Sequence, residues 1–229
     1  MRDFVVMPLI ILRKILWHAG FYRWRFRRLF GLQECQLGDV WFSIEHPEHV
    51  SIRSKTIGQD HPAAEPVGIQ QKGDGHIDLG EDTIIRRGVR LNVRGTGSIR
   101  LGRGSVLGKR TVIETYGAAD ITIGAGCRVG WDCLFLPSDQ HLVLKDGKEL
   151  PFEDDIVIGD HVWFGTRVVV LKGTRIGSNC VVAAGAICHG EFPENCLIAG
   201  APAKVIKKDV NWRDLKKHEI AGVPRGSTE

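Results

Sequence analysis

Apolar side chains recur at every sixth position through most of residues 79–192. Leu79, Ile85 and Leu91 open the series, Leu101, Leu107 and Ile113 follow, and then Ile123, Val129 and Phe135. After an interruption the run resumes at Ile158, Phe164, Val170, Ile176, Val182 and Cys188. The first three groups begin 22 residues apart, three hexads plus four further residues at the same place. A period of 2 would mark a half-wet strand and one of 3.6 an amphipathic helix. A six-residue period with small residues at its turns predicts an all-β chain wound as a parallel β-helix. Each 18-residue coil then holds three short strands, and the hexad residue points inward onto its equivalent one coil above. The fourth residue after it is small or β-branched (Thr83, Ser105, Thr111, Cys127, Cys133, Thr174, Cys180), as a tight interior corner requires. Glycine often follows the apolar residue directly, as in Leu107-Gly108 and Ile176-Gly177, and is read as supplying the backbone angles of a sharp corner.

Coils beginning at Ile57, Leu79, Leu101, Ile123, Ile158 and Ile176 place the β-helix domain at residues 57–208. Stacked coils bury their core only if both ends are covered. Residues 31–56 are expected to cap one end and the segment after Cys188 the other, with 209–229 as a short C-terminal helix or tail. The additions near 92–98 and 114–120 fall at one corner, and the step from Phe135 to Ile158 is 23 residues instead of six. The long loop therefore joins two shorter ones on a single edge, where repeat proteins commonly place binding loops.

Charge adds one distinction. Residues 1–30 carry seven Arg and Lys against Asp3, whereas the whole chain is only +4, so the basic character belongs to the N-terminal appendage. Its apolar run Phe4–Leu12 is too short to span a bilayer, and no small-residue cleavage site follows it. Aromatics interleaved with arginines, as in Phe21-Tyr22-Arg23-Trp24-Arg25-Phe26, suit an amphipathic helix lying in an anionic membrane interface. A helix packed on the prism or on a second subunit fits the same pattern, and both readings stay open; nothing else in the chain supports nucleic-acid binding. Cys127, Cys133, Cys180 and Cys188 occupy inward repeat positions, and no CxxC pair occurs, so the cysteines read as packing groups of a reduced, cytoplasmic protein without a zinc site.

Residues 156–207 contain Ile-Val-Ile-Gly-Asp-His-Val-Trp-Phe-Gly-Thr, then Val-Val-Ala-Ala-Gly-Ala-Ile, and end Ala-Gly-Ala-Pro-Ala-Lys-Val-Ile-Lys. This closely resembles the hexapeptide-repeat acyltransferases, in particular the galactoside, maltose and xenobiotic acetyltransferase branch, over roughly residues 77–208. The resemblance implies a left-handed β-helix, a homotrimer with active sites between subunits, acetyl-coenzyme A as donor and no metal. By motif it assigns donor contacts to Thr166 and Ala184 along the pantetheine, to Lys204 and Lys207 at the nucleotide phosphates, and to Trp163 and His189 beside them. Related enzymes often have Thr-Lys where this chain has His189-Gly190.

The resemblance also makes His141, in Ser138-Asp139-Gln140-His141, the catalytic residue. A thioester is already activated, so the remaining need is to deprotonate an acceptor hydroxyl as it attacks. Imidazole suits that role, worth roughly 10²–10⁴ in rate. Asp139 lies too near along the chain to be the obvious partner for the ring, and Glu149 and Glu153 on the same loop are alternatives. Asp139 and Glu114 are the candidate acceptor contacts. The expected activity is acetyl transfer to a hydroxyl of a sugar or glycan precursor on the cytoplasmic face of the inner membrane. Alternatives are an antibiotic, amino-sugar or serine acceptor, a non-catalytic scaffold, or a γ-type carbonic anhydrase, although His141, His161 and His189 lack the spacing of two histidines five apart that its metal site needs.

Overall fold

The computed structural model describes residues 36–37, 40–58 and 65–216. The chain winds as a left-handed parallel β-helix whose three faces are parallel sheets. The first face stacks Gln36–Leu37, Thr56–Ile57, Ile84–Ile85, Val106–Leu107, Arg128–Val129, Trp163–Phe164, Val181–Val182 and Leu197–Gly200, and Ala203–Lys207 folds back antiparallel on its last strand. The second runs from Val40–Ile44 through Val67–Lys72, Arg90–Gly95, Val112–Gly117, Leu134–Leu136 and Val169–Leu171 to Ile187–Cys188. The third runs from Val50–Ile52 through Ile77–Leu79, Ile99–Leu101, Ile121–Ile123, Ile156–Ile158 and Arg175–Ile176 to Glu191–Phe192. The hexad residues stack in register, Ile85 on Leu107 on Val129 on Phe164 on Val182, and all are buried.

The prism starts earlier than the repeat suggests. Residues 40–52, expected as a cap, already form strands on the second and third faces, with Val40 and Ile52 in the core. Ile52 and Ile57 are five residues apart and Ile57 and Ile69 twelve, where their equivalents Leu79, Ile85 and Leu91 step by six, which hides the first coil from a period of six. The second-face strands Val67–Lys72, Arg90–Gly95 and Val112–Gly117 add a second inward column, Gln71, Val93 and Thr115. Buried Gln71 is tolerated because its amide accepts from His46 N at 2.9 Å and donates to Gly75 O at 3.1 Å. The N-terminal appendage 1–30 and residues 217–229 of the tail lie outside the described residues.

The corners show why their residues are small. Thr111 Oγ1 donates to Gly130 O at 3.0 Å, Ser105 Oγ to Gly124 O at 2.8 Å, and Cys133 Sγ to Gly165 O at 3.2 Å. These groups satisfy carbonyls that a turn would leave buried and unpaired. The glycines directly after the apolar positions serve a different purpose from the expected one. A Cβ on Gly108 would sit 2.2 Å from Gly130 O, so absence of a side chain lets successive coils approach. Positive φ instead falls two residues later, at Arg110, Asp132, His161, Arg167 and Asn179 among others.

After the hairpin at 197–207 the chain turns back along the corner between the third and first faces. Val210 N donates to Asn195 O at 2.9 Å, and Trp212 Nε1 donates to His161 O at 2.8 Å while its ring stacks on the imidazole at 4.2 Å. Asp214 closes the strap on Arg128 at 2.8 Å. His161 is half-buried beneath this segment.

Candidate active site

The additions near 92–98 and 114–120 and the long loop after Phe135 fall, as expected, between the second and third faces. The largest, residues 137–155, leaves the prism as a two-railed loop with a small hairpin, Leu144–Lys145 against Lys148–Glu149, at its tip. Its base is stitched by Asp139 N to Phe152 O at 2.8 Å and by Asp154 N to Pro137 O at 2.9 Å. Lys172, on the next coil, fastens both rails: its ammonium reaches Asp139 Oδ2 at 2.5 Å and Pro151 O at 2.6 Å. Nothing in the local sequence marks Lys172, because its partner Asp139 is 33 positions away.

His141 stands exposed on this loop with Nδ1 3.2 Å from the main-chain O of Asp139. A carbonyl can only accept, so the proton of the neutral ring sits on Nδ1 and the lone pair on Nε2 faces outward. The ring's partner is thus Asp139 after all, through its backbone; the carboxylate is committed to Lys172. Glu153 accepts from Ala118 N at 3.0 Å, and Glu149 is exposed on the hairpin. Glu114 lies on the outer side of the second face below the loop, accepting from Asn92 Nδ2 at 3.3 Å.

The donor candidates divide between edges. Thr166 and Ala184 stack one above the other at the corner between the first and second faces, joined by Gly185 N to Thr166 O at 2.9 Å. Both are exposed, and a Cβ on neighbouring Gly185 would meet nothing, so this corner is an open trough of small residues. Trp163 is 44% exposed on the first face, and Lys204 and Lys207 project from the terminal hairpin. His189 belongs to the other edge, its Nδ1 3.0 Å from Lys172 O. One chain therefore carries the histidine loop and the trough on opposite borders of its second face. His161 lies at the third corner, so His141, His161 and His189 do not converge.

The outer side of that second face is apolar in its later coils, with Val112, Leu134, Leu136, Val169, Leu171 and Ile187 all at least partly exposed. A depression of about 510 Å³ lies elsewhere, around Arg53, Asp78, Arg100 and Thr122 on the third face, and includes none of the expected site residues. The described cysteines are free and buried, and burial pushes the thiols of Cys127 and Cys133 up to about 11 and that of Cys188 to about 12.

Residues 155–190 match the bacterial transferase hexapeptide (six repeats). Among solved structures the fold resembles the polySia specific acetyltransferase NeuO, with a TM-score of 0.53 and 24% identity over 84% of this chain and 88% of that one. It also resembles the polysialic acid O-acetyltransferase OatWY, with a TM-score of 0.51 and 22% identity over 80% and 93% of the two chains. Fold and repeat thus agree with the resemblance to the hexapeptide-repeat acyltransferases read in the sequence.

Among curated proteins, 53 residues are 55% identical to an Escherichia coli (strain K12) protein whose assigned name is lipopolysaccharide biosynthesis O-acetyl transferase, WbbJ; they cover 23% of this chain and 27% of that protein. A further 81-residue match, 40% identical, is to 2,3,4,5-tetrahydropyridine-2,6-dicarboxylate N-acetyltransferase of Staphylococcus aureus (strain JH9), covering 35% of this chain and 34% of the relative. The matches span about a quarter to a third of these relatives' lengths.

Proposed function

We propose that this protein transfers an acetyl group from acetyl-coenzyme A to a hydroxyl of a sugar or glycan precursor, with His141 as general base. The observation that carries the reading is the His141–Asp139 carbonyl contact at 3.2 Å, which presents Nε2 as a proton acceptor. In this reading the acceptor hydroxyl gives its proton to Nε2 as its oxygen attacks the thioester carbonyl. Collapse of the tetrahedral intermediate expels the coenzyme A thiolate, which is reprotonated. Thr166 and Ala184 border the pantetheine arm, Lys204 and Lys207 meet the phosphates as point charges, and Trp163 lies beside the trough.

Because loop and trough border opposite sides of one face, a complete site needs a second copy. The apolar outer side of the second face favours such a copy, since burying it would bring one subunit's His141 loop to its neighbour's trough. A homotrimer satisfies this with three equivalent sites. The O-acetyl reading rests on the sequence motif and the 55%-identical relative, and the cytoplasmic, membrane-peripheral placement on the basic appendage 1–30.

The test is release of free coenzyme A in the presence of sugars, nucleotide sugars, lipid-linked glycans, amino sugars and antibiotics. His141→Ala is expected to lower turnover by about 10²-fold or more while donor affinity by calorimetry is retained. A smaller effect would remove His141 as the base; absence of coenzyme A binding by the unaltered chain would remove the transferase reading.

A further inference from the structure

The corner that carries Thr166 and Ala184 continues toward the N-terminal coils. Arg87, Lys109, Trp131, Thr166 and Ala184 occupy the same turn position in five successive coils, linked by Arg110 N to Arg87 O at 3.1 Å, Asp132 N to Lys109 O at 2.9 Å and Arg167 N to Trp131 O at 2.8 Å. The character of the column changes abruptly along its length. Ala184 and Thr166 are small. Trp131, on the coil from which the His141 loop departs, is 51% exposed, and below it the column is cationic.

Lys109 Nζ lies 5.3 Å from the centre of the Trp131 ring, and Arg87 Nε is buried with no hydrogen-bond partner among the described residues. The neighbouring carboxylates are engaged elsewhere: Asp132 grips Arg110 at 2.6 and 2.8 Å, and Glu65 lies 3.9 Å from Arg110. Among the described residues, this edge thus holds more positive charge than its acids neutralise.

We propose that the Trp131–Lys109–Arg87 edge is an acceptor subsite for an anionic glycan, one of whose sugar rings lies on the exposed indole while a carboxylate or phosphate of the same chain meets Lys109 and Arg87. The indole offers a large apolar plate at low conformational cost, which suits the C–H face of a pyranose. The cation beside it recognises charge that a neutral sugar lacks. Position supports the same occupant, because an acceptor must enter where the trough meets the level of the His141 loop. The inference rests on the transferase reading for its meaning, but its binding test does not involve the donor.

The full chain, without coenzyme A, is titrated with polysialic acid (carboxylated), phosphomannan (phosphorylated) and maltoheptaose (neutral), and binding is followed by calorimetry. At least one anionic glycan should bind more tightly than maltoheptaose, with affinity falling as salt rises. Trp131→Ala and Lys109→Ala should each weaken it about tenfold, while Lys109→Arg retains it and melting temperature and coenzyme A affinity stay unchanged. The contrast between the two anionic glycans assigns the charged group.

The proposal falls if neither anionic glycan outbinds maltoheptaose, or if the alanine variants leave binding untouched. It also falls if those variants lose coenzyme A affinity, which would give the edge to the donor, or if they release phosphatidylglycerol vesicles while glycan binding persists. A chain that binds glycan at Trp131 yet never binds coenzyme A would sink the transferase reading alone.

Discussion

Replacing Lys172 with Met keeps the aliphatic stem but removes the ammonium that ties Asp139 Oδ2 and Pro151 O together. The side chains of Lys172 and Asp139 are 22% and 38% exposed, so the ion pair is discounted to the surface range of about 0.2–1 kcal/mol. The bond to the Pro151 carbonyl adds about 1 kcal/mol, the low end for a charged donor in a partly wet setting. Losing about 1–2 kcal/mol lowers the docked-to-undocked ratio of the loop base by a factor of roughly 5–30. Because His141 takes its orientation from Asp139 O, turnover should fall, by at most that factor. Coenzyme A affinity should hold, and melting temperature should move little because residues 139–151 contribute nothing to the core. The assay is coenzyme A release under acceptor saturation, paired with calorimetry of donor binding. Unaltered turnover would refute the pinning role. A loss of donor affinity would refute it differently, by moving Lys172 into the donor site.

Gly108→Ala should destabilise the fold by about 1–3 kcal/mol, since its Cβ would meet Gly130 O at 2.2 Å and that atom is backbone; an unchanged melting temperature would show that the coils can separate there. The thiols of Cys127, Cys133 and Cys188 are raised from 9.0 to about 11, 11 and 12 by burial. Folding favours their neutral form, so this stability is intact below pH 9 and is lost as pH climbs through 11–12. Melting temperature should fall across that window, and Cys188→Ala should make the fall shallower. Deleting residues 1–30 should release the protein from anionic liposomes while coenzyme A affinity remains; retained liposome binding would locate the membrane contact elsewhere.

The core was legible because its signal is periodic: Leu79, Leu101 and Ile123 announce one column by spacing alone, and the insertions announce one edge. The first coil was not, since the steps from Ile52 to Ile57 and from Ile57 to Ile69 are five and twelve residues instead of six. Glycine was located correctly but for another reason, as coil-to-coil approach and positive φ fall on different residues. His141 is proposed from a motif, whereas Lys172 has no such signal, because its pairing with Asp139 depends on which coils stack across an insertion. Trp212 on His161, 51 residues apart, escaped for the same reason. Trp131 follows Val129-Gly130 at an ordinary turn position, and only the stacking of Lys109 and Arg87 beneath it gives that exposed ring a context.

A tower whose storeys touch only the ones directly above and below frays one storey at a time. The strand-less cord from Val210 to Asp214 alters that at one end, lashing Asn195, His161 and Arg128 together from outside. The topmost storeys cannot peel away singly without first shedding the cord, so they must open as one block. The end of the molecule that bears Lys204 and Lys207 thereby gains a rigidity that its thin hairpin alone would never supply.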